Sequence, residues 1–202
     1  MLEFLRVLLD PVAMVQAGGY LGVALIVFAE SGVLVGMFLP GDSLLFAAGL
    51  LAAGGYLSVG PLALVVVVAA ILGDSVGYWF GAKVGPALFR RQDSRFFKQA
   101  HVERAQQFFL NYGGYAIVLA RFIPIVRTLT PILAGVGTMP YLRFLAFNVI
   151  GGIIWGAGIV YLGYFLGSAI PGLERYFLPL TLLIILASVA PILIKTVRAS
   201  SK

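Results

Sequence analysis

Apolar residues run along this chain in long blocks, and the blocks predict its elements. There are five, at 20–56, 61–85, 115–137, 141–167 and 177–195. A helix that crosses a bilayer needs about 20 apolar residues. The blocks 61–85, 141–167 and 177–195 reach that length without a central break and predict three transmembrane helices. The other two are interrupted, 20–56 by Pro40-Gly41-Asp42 and 115–137 by Pro124 and Pro131. Proline removes a helix donor and clashes with the preceding turn. Inside hydrocarbon such a break survives only where protein or water covers the freed backbone groups. Each broken block therefore predicts a re-entrant hairpin, two half-helices meeting at a proline-containing tip. A kinked full span is the alternative.

The remaining segments read as interfacial. Residues 1–18 carry Glu3, Arg6, Asp10 and Pro11 and lack the basic start and small-residue cleavage site of a signal peptide, so an interfacial helix is expected. In the connector 86–112, Ser94 is placed to cap a helix that runs to Asn111 and stops at Gly113-Gly114. Its Phe96, Phe97, Phe108 and Phe109, beside Arg95, Lys98 and Arg104, suit an amphipathic surface helix. Gly73, Gly77, Gly81 and Gly85 recur every fourth residue, a smooth stripe that lets a second helix approach closely.

A weak internal repeat joins the two halves. Gly77-Tyr78-Trp79-Phe80-Gly81 reappears as Gly163-Tyr164-Phe165-Leu166-Gly167, and at the same offset Gly49 falls on Gly135. Each half reads as a hairpin followed by a span. Two such halves of opposite sidedness make an inverted repeat, a common transporter plan. The expected fold is one all-α integral membrane domain over 1–202, with two opposed re-entrant hairpins, about three transmembrane helices and amphipathic interfacial helices.

Composition sharpens the class. The 202 residues are 61% hydrophobic and only 11% charged, whereas a soluble domain carries roughly 25% charged residues. The bilayer is therefore the expected solvent. The net charge is +6, and the placement of that charge orients the chain. Lys83, Arg90, Arg91, Arg95, Lys98 and Arg104 cluster in and around the connector, and Lys195, Arg198 and Lys202 lie at the C-terminal end. With the connector in the cytoplasm, both clusters fall on one face, as the positive-inside rule requires, and Glu174 and Arg175 fall outside. The clusters are too few and too close to the spans for a nucleic-acid surface. There is no cysteine, so disulfides, thiolate metal sites and cysteine catalysis are excluded. The single histidine, His101, cannot build a metal site and reads as a solvated or interfacial residue. Gly73-Asp74-Ser75-Val76-Gly77 matches the hydrolase elbow pattern, but it lies in an apolar helix with no histidine partner. No P-loop or dinucleotide fingerprint is present, and no cofactor is expected.

The chemistry sits in the charges inside the apolar blocks: Glu30, Asp42 and Asp74, and Arg121, Arg127 and Arg143. A charge at the bilayer centre costs at least about 2.5–3.5 kcal/mol on insertion scales. Such residues persist when they are paired, wet or functional. One reading is a set of buried ion pairs that hold the hairpins together, and it applies most readily to Asp74 and Arg143. The other is a transport site. Arg121 and Arg127 flank Pro124 and can converge on one anion, because guanidinium forks match phosphate oxygens bidentately. Half-helix N-termini at the breaks add N–H donors. Glu30 and Asp42 titrate and are the candidate proton carriers.

These same residues resemble a known family. Phe38-Leu39-Pro40-Gly41-Asp42-Ser43-Leu44-Leu45, ending in Ala48-Gly49, is similar to the first signature of the DedA family, the bacterial branch of the VTT-domain (SNARE-associated Golgi protein) superfamily. Gly73-Asp74-Ser75-Val76-Gly77-Tyr78 and Gly81 resemble the second. Arg121-Phe122-Ile123-Pro124-Ile125-Val126-Arg127-Thr128, with Pro131, Ala134-Gly135 and Met139, resembles the third, and Phe144, Asn148, Gly151 and Trp155 continue the pattern. Ile125 stands where many members have glycine. The resemblance covers roughly residues 20 to 165. It implies a bacterial inner-membrane protein that moves the lipid carrier undecaprenyl phosphate in dependence on the proton-motive force. It further implies that Glu30 and Asp42 are the essential acids and Arg121 and Arg127 the essential arginines, with Pro40, Gly41, Asp74, Pro124, Pro131 and Arg143 in support. The expected partners are membrane lipids and protons; self-association into a homo-oligomer is allowed, and enzymatic activity is not expected. The alternatives are a phospholipid scramblase, a non-transporting membrane-homeostasis or interaction protein and, more weakly, a lipid phosphatase.

Overall fold

The computed structural model describes residues 11–32, 41–90, 107–109 and 111–170. The predicted span 177–195, most of the basic connector, residues 1–10 and Pro40 lie outside the described residues. The described part is helical, with no strand in it. The order is α1 (Pro11–Gly32), α2 (Gly41–Ala53), α3 (Val59–Arg90), α4 (Tyr115–Ala120), α5 (Pro124–Val136), α6 (Tyr141–Gly152), a π turn (Ile153–Ala157) and α7 (Gly158–Ala169). Three stretches are long and apolar enough to cross a membrane: Pro11–Gly32, Val59–Val84 and Tyr141–Ala169.

The first of these is two helical segments that meet at a kink at Gly19 (φ 53, ψ −146), so residues 11–18 form a helix of their own ahead of the segment that runs to Gly32. Only glycine adopts that backbone without strain. Beyond the break, Met14 and Val15 are buried in the same core as Val23, Val27, Leu44, Leu62 and Val66. The Tyr56 hydroxyl donates to the Gln16 carbonyl at 2.7 Å, and the Ser58 amide donates to the Tyr20 hydroxyl at 2.7 Å. Both ends of the break are thereby tied to the turn before α3.

The broken blocks each give a pair of helices. α1 and α2 flank Pro40, and α4 and α5 are separated by the turn at residues 121–123. Pro124 opens α5 at its first position, where the missing N–H costs nothing. The second member of each pair docks in a glycine seam. α2 lies against α7: a Cβ on Gly49 would run into the backbone of Val160, Gly163 and Tyr164. α5 lies against α3: a Cβ on Gly135 would run into the backbone of Tyr78, Gly81 and Ala82. The seams match residue for residue, with Gly49 answering Gly135 and with Tyr78, Gly81 and Ala82 answering Val160, Gly163 and Tyr164. In this match Gly163 takes the place of Gly81. The repeat read from the sequence pairs it with Gly77, about one helical turn away.

A second core cluster gathers Tyr78, Phe109, Ala116, Ile117, Ala134, Met139 and Phe144. The Tyr78 ring stacks on Phe144 and its hydroxyl donates to the Met139 carbonyl. Between the two clusters lie the charges.

Candidate functional site

Arg127 stands in the first turn of α5, where a helix dipole disfavours a cation. Its counter-charges come from the other broken block. Its Nη2 donates to Glu30 Oε1 near the end of α1, and its Nη1 donates to Asp42 Oδ1 in the first turn of α2, the latter at 2.7 Å. Asp42 itself is well placed by the dipole, being an anion at a helix N-terminus. Glycine makes the meeting possible. A Cβ on Gly41 would occupy the space of the Glu30 carboxylate, so only Gly41 lets α2 begin on top of that side chain.

Arg121, at the C-terminal end of α4, forms the second pair. Its Nη2 donates to Asp74 Oδ2 on α3 and, at 2.5 Å, to Asn148 Oδ1 on α6. Asn148 Nδ2 donates in turn to the Ile71 carbonyl at 3.2 Å. Here Gly151 clears the way: a Cβ on it would come within 2.9 Å of Arg121 Cδ and 3.0 Å of Arg121 Nε. α1 and α3 also touch through glycines near both acids, since a Cβ on Gly73 would meet the Phe28 carbonyl oxygen at 2.6 Å.

Trp155, in the π turn, links the two pairs. Its Nε1 donates to Asp42 Oδ1 at 2.9 Å. The Arg127 guanidinium carbon lies 5.0 Å from its ring centroid and that of Arg121 lies 5.7 Å away. Both are within range of a cation–π attraction.

Burial makes this a high-stakes cluster. Glu30, Asp74, Arg121 and Arg127 are all buried. The Asp42 side chain is the open member, 46% exposed. Three carboxylates face two guanidiniums, so the cluster holds one more acid than base. Among the described residues, Glu30 Oε2 and Arg121 Nε are buried side-chain atoms without a hydrogen-bond partner. Removing one partner of a buried pair typically costs 3–5 kcal/mol, because the other charge is left uncompensated.

The structure thus gathers Glu30, Asp42, Asp74, Arg121 and Arg127 from five elements and both broken blocks. It leaves out Arg143. That residue is exposed in the first turn of α6, its Nη2 near Gly113, so the sequence's balance of three acids against three arginines does not hold in space. Its exposed position at the start of the helix leaves it open to solvation. Pro131 packs on Gly77. Trp155 and Asn148 join the cluster although the sequence reading assigned them no role. A polar asparagine side chain inside an apolar span was the available signal, because a buried amide needs partners. Among the described residues, no group of three or more His, Cys, Asp or Glu side chains could hold a metal ion.

What this arrangement can do chemically is exchange counter-ions. Each guanidinium is already neutralised by carboxylates, so an incoming anion competes with them, and protonation of a carboxylate favours the anion.

Comparison with known proteins supports a family assignment. The family model described as VTT domain matches residues 39–165. An uncharacterized membrane protein of Mycobacterium tuberculosis is 44% identical over 199 residues, covering 95% of this chain and 87% of its own. A counterpart in Mycobacterium leprae is 42% identical over 192 residues, 92% of this chain and 86% of its own. Protein DedA of Escherichia coli is 43% identical over 176 residues, 86% of this chain and 80% of its own. No solved structure matches the chain.

Proposed function

The chain belongs to the DedA family of VTT-domain membrane proteins, and from that premise we propose that it carries the phosphate headgroup of a polyprenyl-phosphate lipid, undecaprenyl phosphate, across the bacterial inner membrane in dependence on the proton-motive force. The observation that carries this reading is the double occupation of Arg127 by Glu30 and Asp42 where the two broken blocks meet.

A phosphate monoester is a better fork partner for arginine than a single carboxylate oxygen. A proton on Asp42 or Glu30 removes the competing charge, and the excess of acids over arginines makes the cluster a natural proton acceptor. Headgroup and proton therefore enter together. Arg121 and Arg127 bind the anion and stay charged at every physiological pH. Glu30 and Asp42 exchange protons, and the lipid leaves chemically unchanged.

The reading includes two opposed re-entrant hairpins, with tips at Pro40 and Pro124, related by an inverted repeat. The matched glycine seams, Gly49 on Gly163 and Gly135 on Gly81, support it. Each half then rocks against the other around a site between them. The basic connector and the C-terminal Lys195, Arg198 and Lys202 face the cytoplasm in this reading.

Reconstitution into liposomes with fluorescent polyprenyl phosphate tests it. Headgroup movement should accelerate when a pH gradient is imposed and collapse with an uncoupler. Equal rates without a gradient for phosphate and choline headgroups would replace the reading by scrambling. Released inorganic phosphate would replace it by an enzyme.

A further inference from the structure

We propose that the Asp42 carboxylate occupies the seat of the substrate's phosphate oxygen and that the Trp155 indole N–H is a binding donor of that seat. The inference rests on the phosphate-lipid reading above.

Two donors converge on one oxygen. Arg127 Nη1 lies 2.7 Å and Trp155 Nε1 lies 2.9 Å from Asp42 Oδ1. Both donors are buried, whereas the Asp42 side chain is 46% exposed. Of the cluster, Asp42 is the charged group with room to swing away, and it starts a helix rather than standing mid-span. Arg127 stays anchored through Nη2 on Glu30 when Asp42 leaves. An indole N–H can only donate, and when buried it needs an acceptor. Vacating the seat therefore leaves two converging donors, one of them charged, that an incoming anion oxygen satisfies best.

The surroundings suit an anion. Two guanidiniums lie over the indole ring, within cation–π range of its centroid, and restrict its movement. The π turn Ile153–Ala157 presents Trp155 from mid-helix. Such turns interrupt helices at functional positions often enough to be informative. A phosphate monoester brings three terminal oxygens. One replaces Oδ1 and the others are free to meet Arg127 and water from the open side. A phosphodiester headgroup has two terminal oxygens and carries a further substituent into the seat.

The test uses the full chain in phosphatidylcholine nanodiscs containing polyprenyl phosphate, with inorganic phosphate as a second probe. Trp155→Phe keeps an aromatic face for the arginines and deletes the N–H. It should weaken polyprenyl-phosphate binding by about ten- to a hundredfold, the range for a hydrogen bond to a charged group. Asp42→Ala empties the seat and should tighten binding, whereas a purely structural ion pair predicts weaker binding from the same change. In a Trp79→Phe background, Trp155 is the sole tryptophan and its emission should shift when phosphate lipid is added. The same ranking of variants with inorganic phosphate assigns the seat to the phosphate group alone; a ranking seen only with the lipid assigns it to the headgroup held by its tail. Parental affinity in Trp155→Phe, or weakened binding in Asp42→Ala, overturns the inference while leaving the transport reading intact. If Trp155→Phe does not fold, the Asp42→Ala arm and the Trp155 emission decide. Absence of phosphate-lipid binding by the unsubstituted chain overturns both.

Discussion

Arginine and lysine carry the same charge, yet they are not equivalent in this cluster. Arg127 uses two nitrogens on two different carboxylates, and Arg121 reaches Asp74 and Asn148 together. An ammonium offers a point charge in place of a planar fork. Arg127→Lys and Arg121→Lys should each lower phosphate-lipid affinity by about tenfold or more, read by titration in nanodiscs, at the strength of one charge-assisted hydrogen bond. The acids behave differently. Glu30→Gln and Asp42→Asn mimic the protonated form, so binding should survive while response to a pH gradient disappears; full gradient-dependent transport in both would exclude them as proton carriers. Gly41 is a third kind of residue, needed for what it lacks. Gly41→Ala drives a methyl group into the Glu30 carboxylate and should destabilise by about 1–3 kcal/mol, the usual cost of overpacking. Thermal unfolding in detergent reads that loss directly.

Among the helices, the seams between α2 and α7 and between α3 and α5 determine whether the pairs dock. Gly49 and Gly135 leave no space for a side chain, because backbone lies where a Cβ would go. Gly158, in α7, faces open space. Alanine is a better helix former than glycine by about 1 kcal/mol when nothing obstructs it. Gly158→Ala should therefore be neutral or slightly stabilising, while Gly49→Ala and Gly135→Ala should each lower the melting temperature. Similar losses at Gly49 and Gly135 are what equivalent seams require. Much of this level was readable in advance. Prolines and glycines mark breaks and close approaches by local chemistry, so the breaks between α1 and α2 and between α4 and α5 stood out. The packing of Met14 and Val15 did not, because the direction the chain takes at the Gly18-Gly19 kink depends on the core those side chains find beyond it.

For the whole molecule, the coupling of proton and anion makes a pH prediction with a definite sign. Acidification favours protonation of the carboxylates that compete for Arg127, so phosphate-lipid affinity should rise as pH falls. Loss of headgroup charge opposes this only near its own second ionisation, about pH 6. In Asp42→Asn the dependence should flatten, which a titration across pH checks against the unsubstituted chain. Sidedness gives a second prediction at this scale. Cysteines introduced at Arg95 and Lys202, both outside the described residues, should react only with cytoplasmic reagent, and one at Glu174 only with external reagent. Labelling of the Arg95 and Lys202 positions from opposite faces would overturn the topology and the inverted repeat with it.

The sequence alone determined the solvent, the helical class, where the apolar blocks break and which residue types stand charged inside them. These are local properties, since hydropathy, proline geometry and the cost of a buried charge act residue by residue. The tertiary structure decided the partners. Arg127 took Glu30 and Asp42, Arg121 took Asp74 and Asn148, Trp155 came between them, and Arg143 was left to the surface. It also set the seam that pairs Gly163 with the role of Gly81 rather than Gly77. Pairing depends on how each helix is rotated and shifted against the next. One residue of register turns a side chain by about 100°, and that rotation is chosen by packing between elements far apart in the chain.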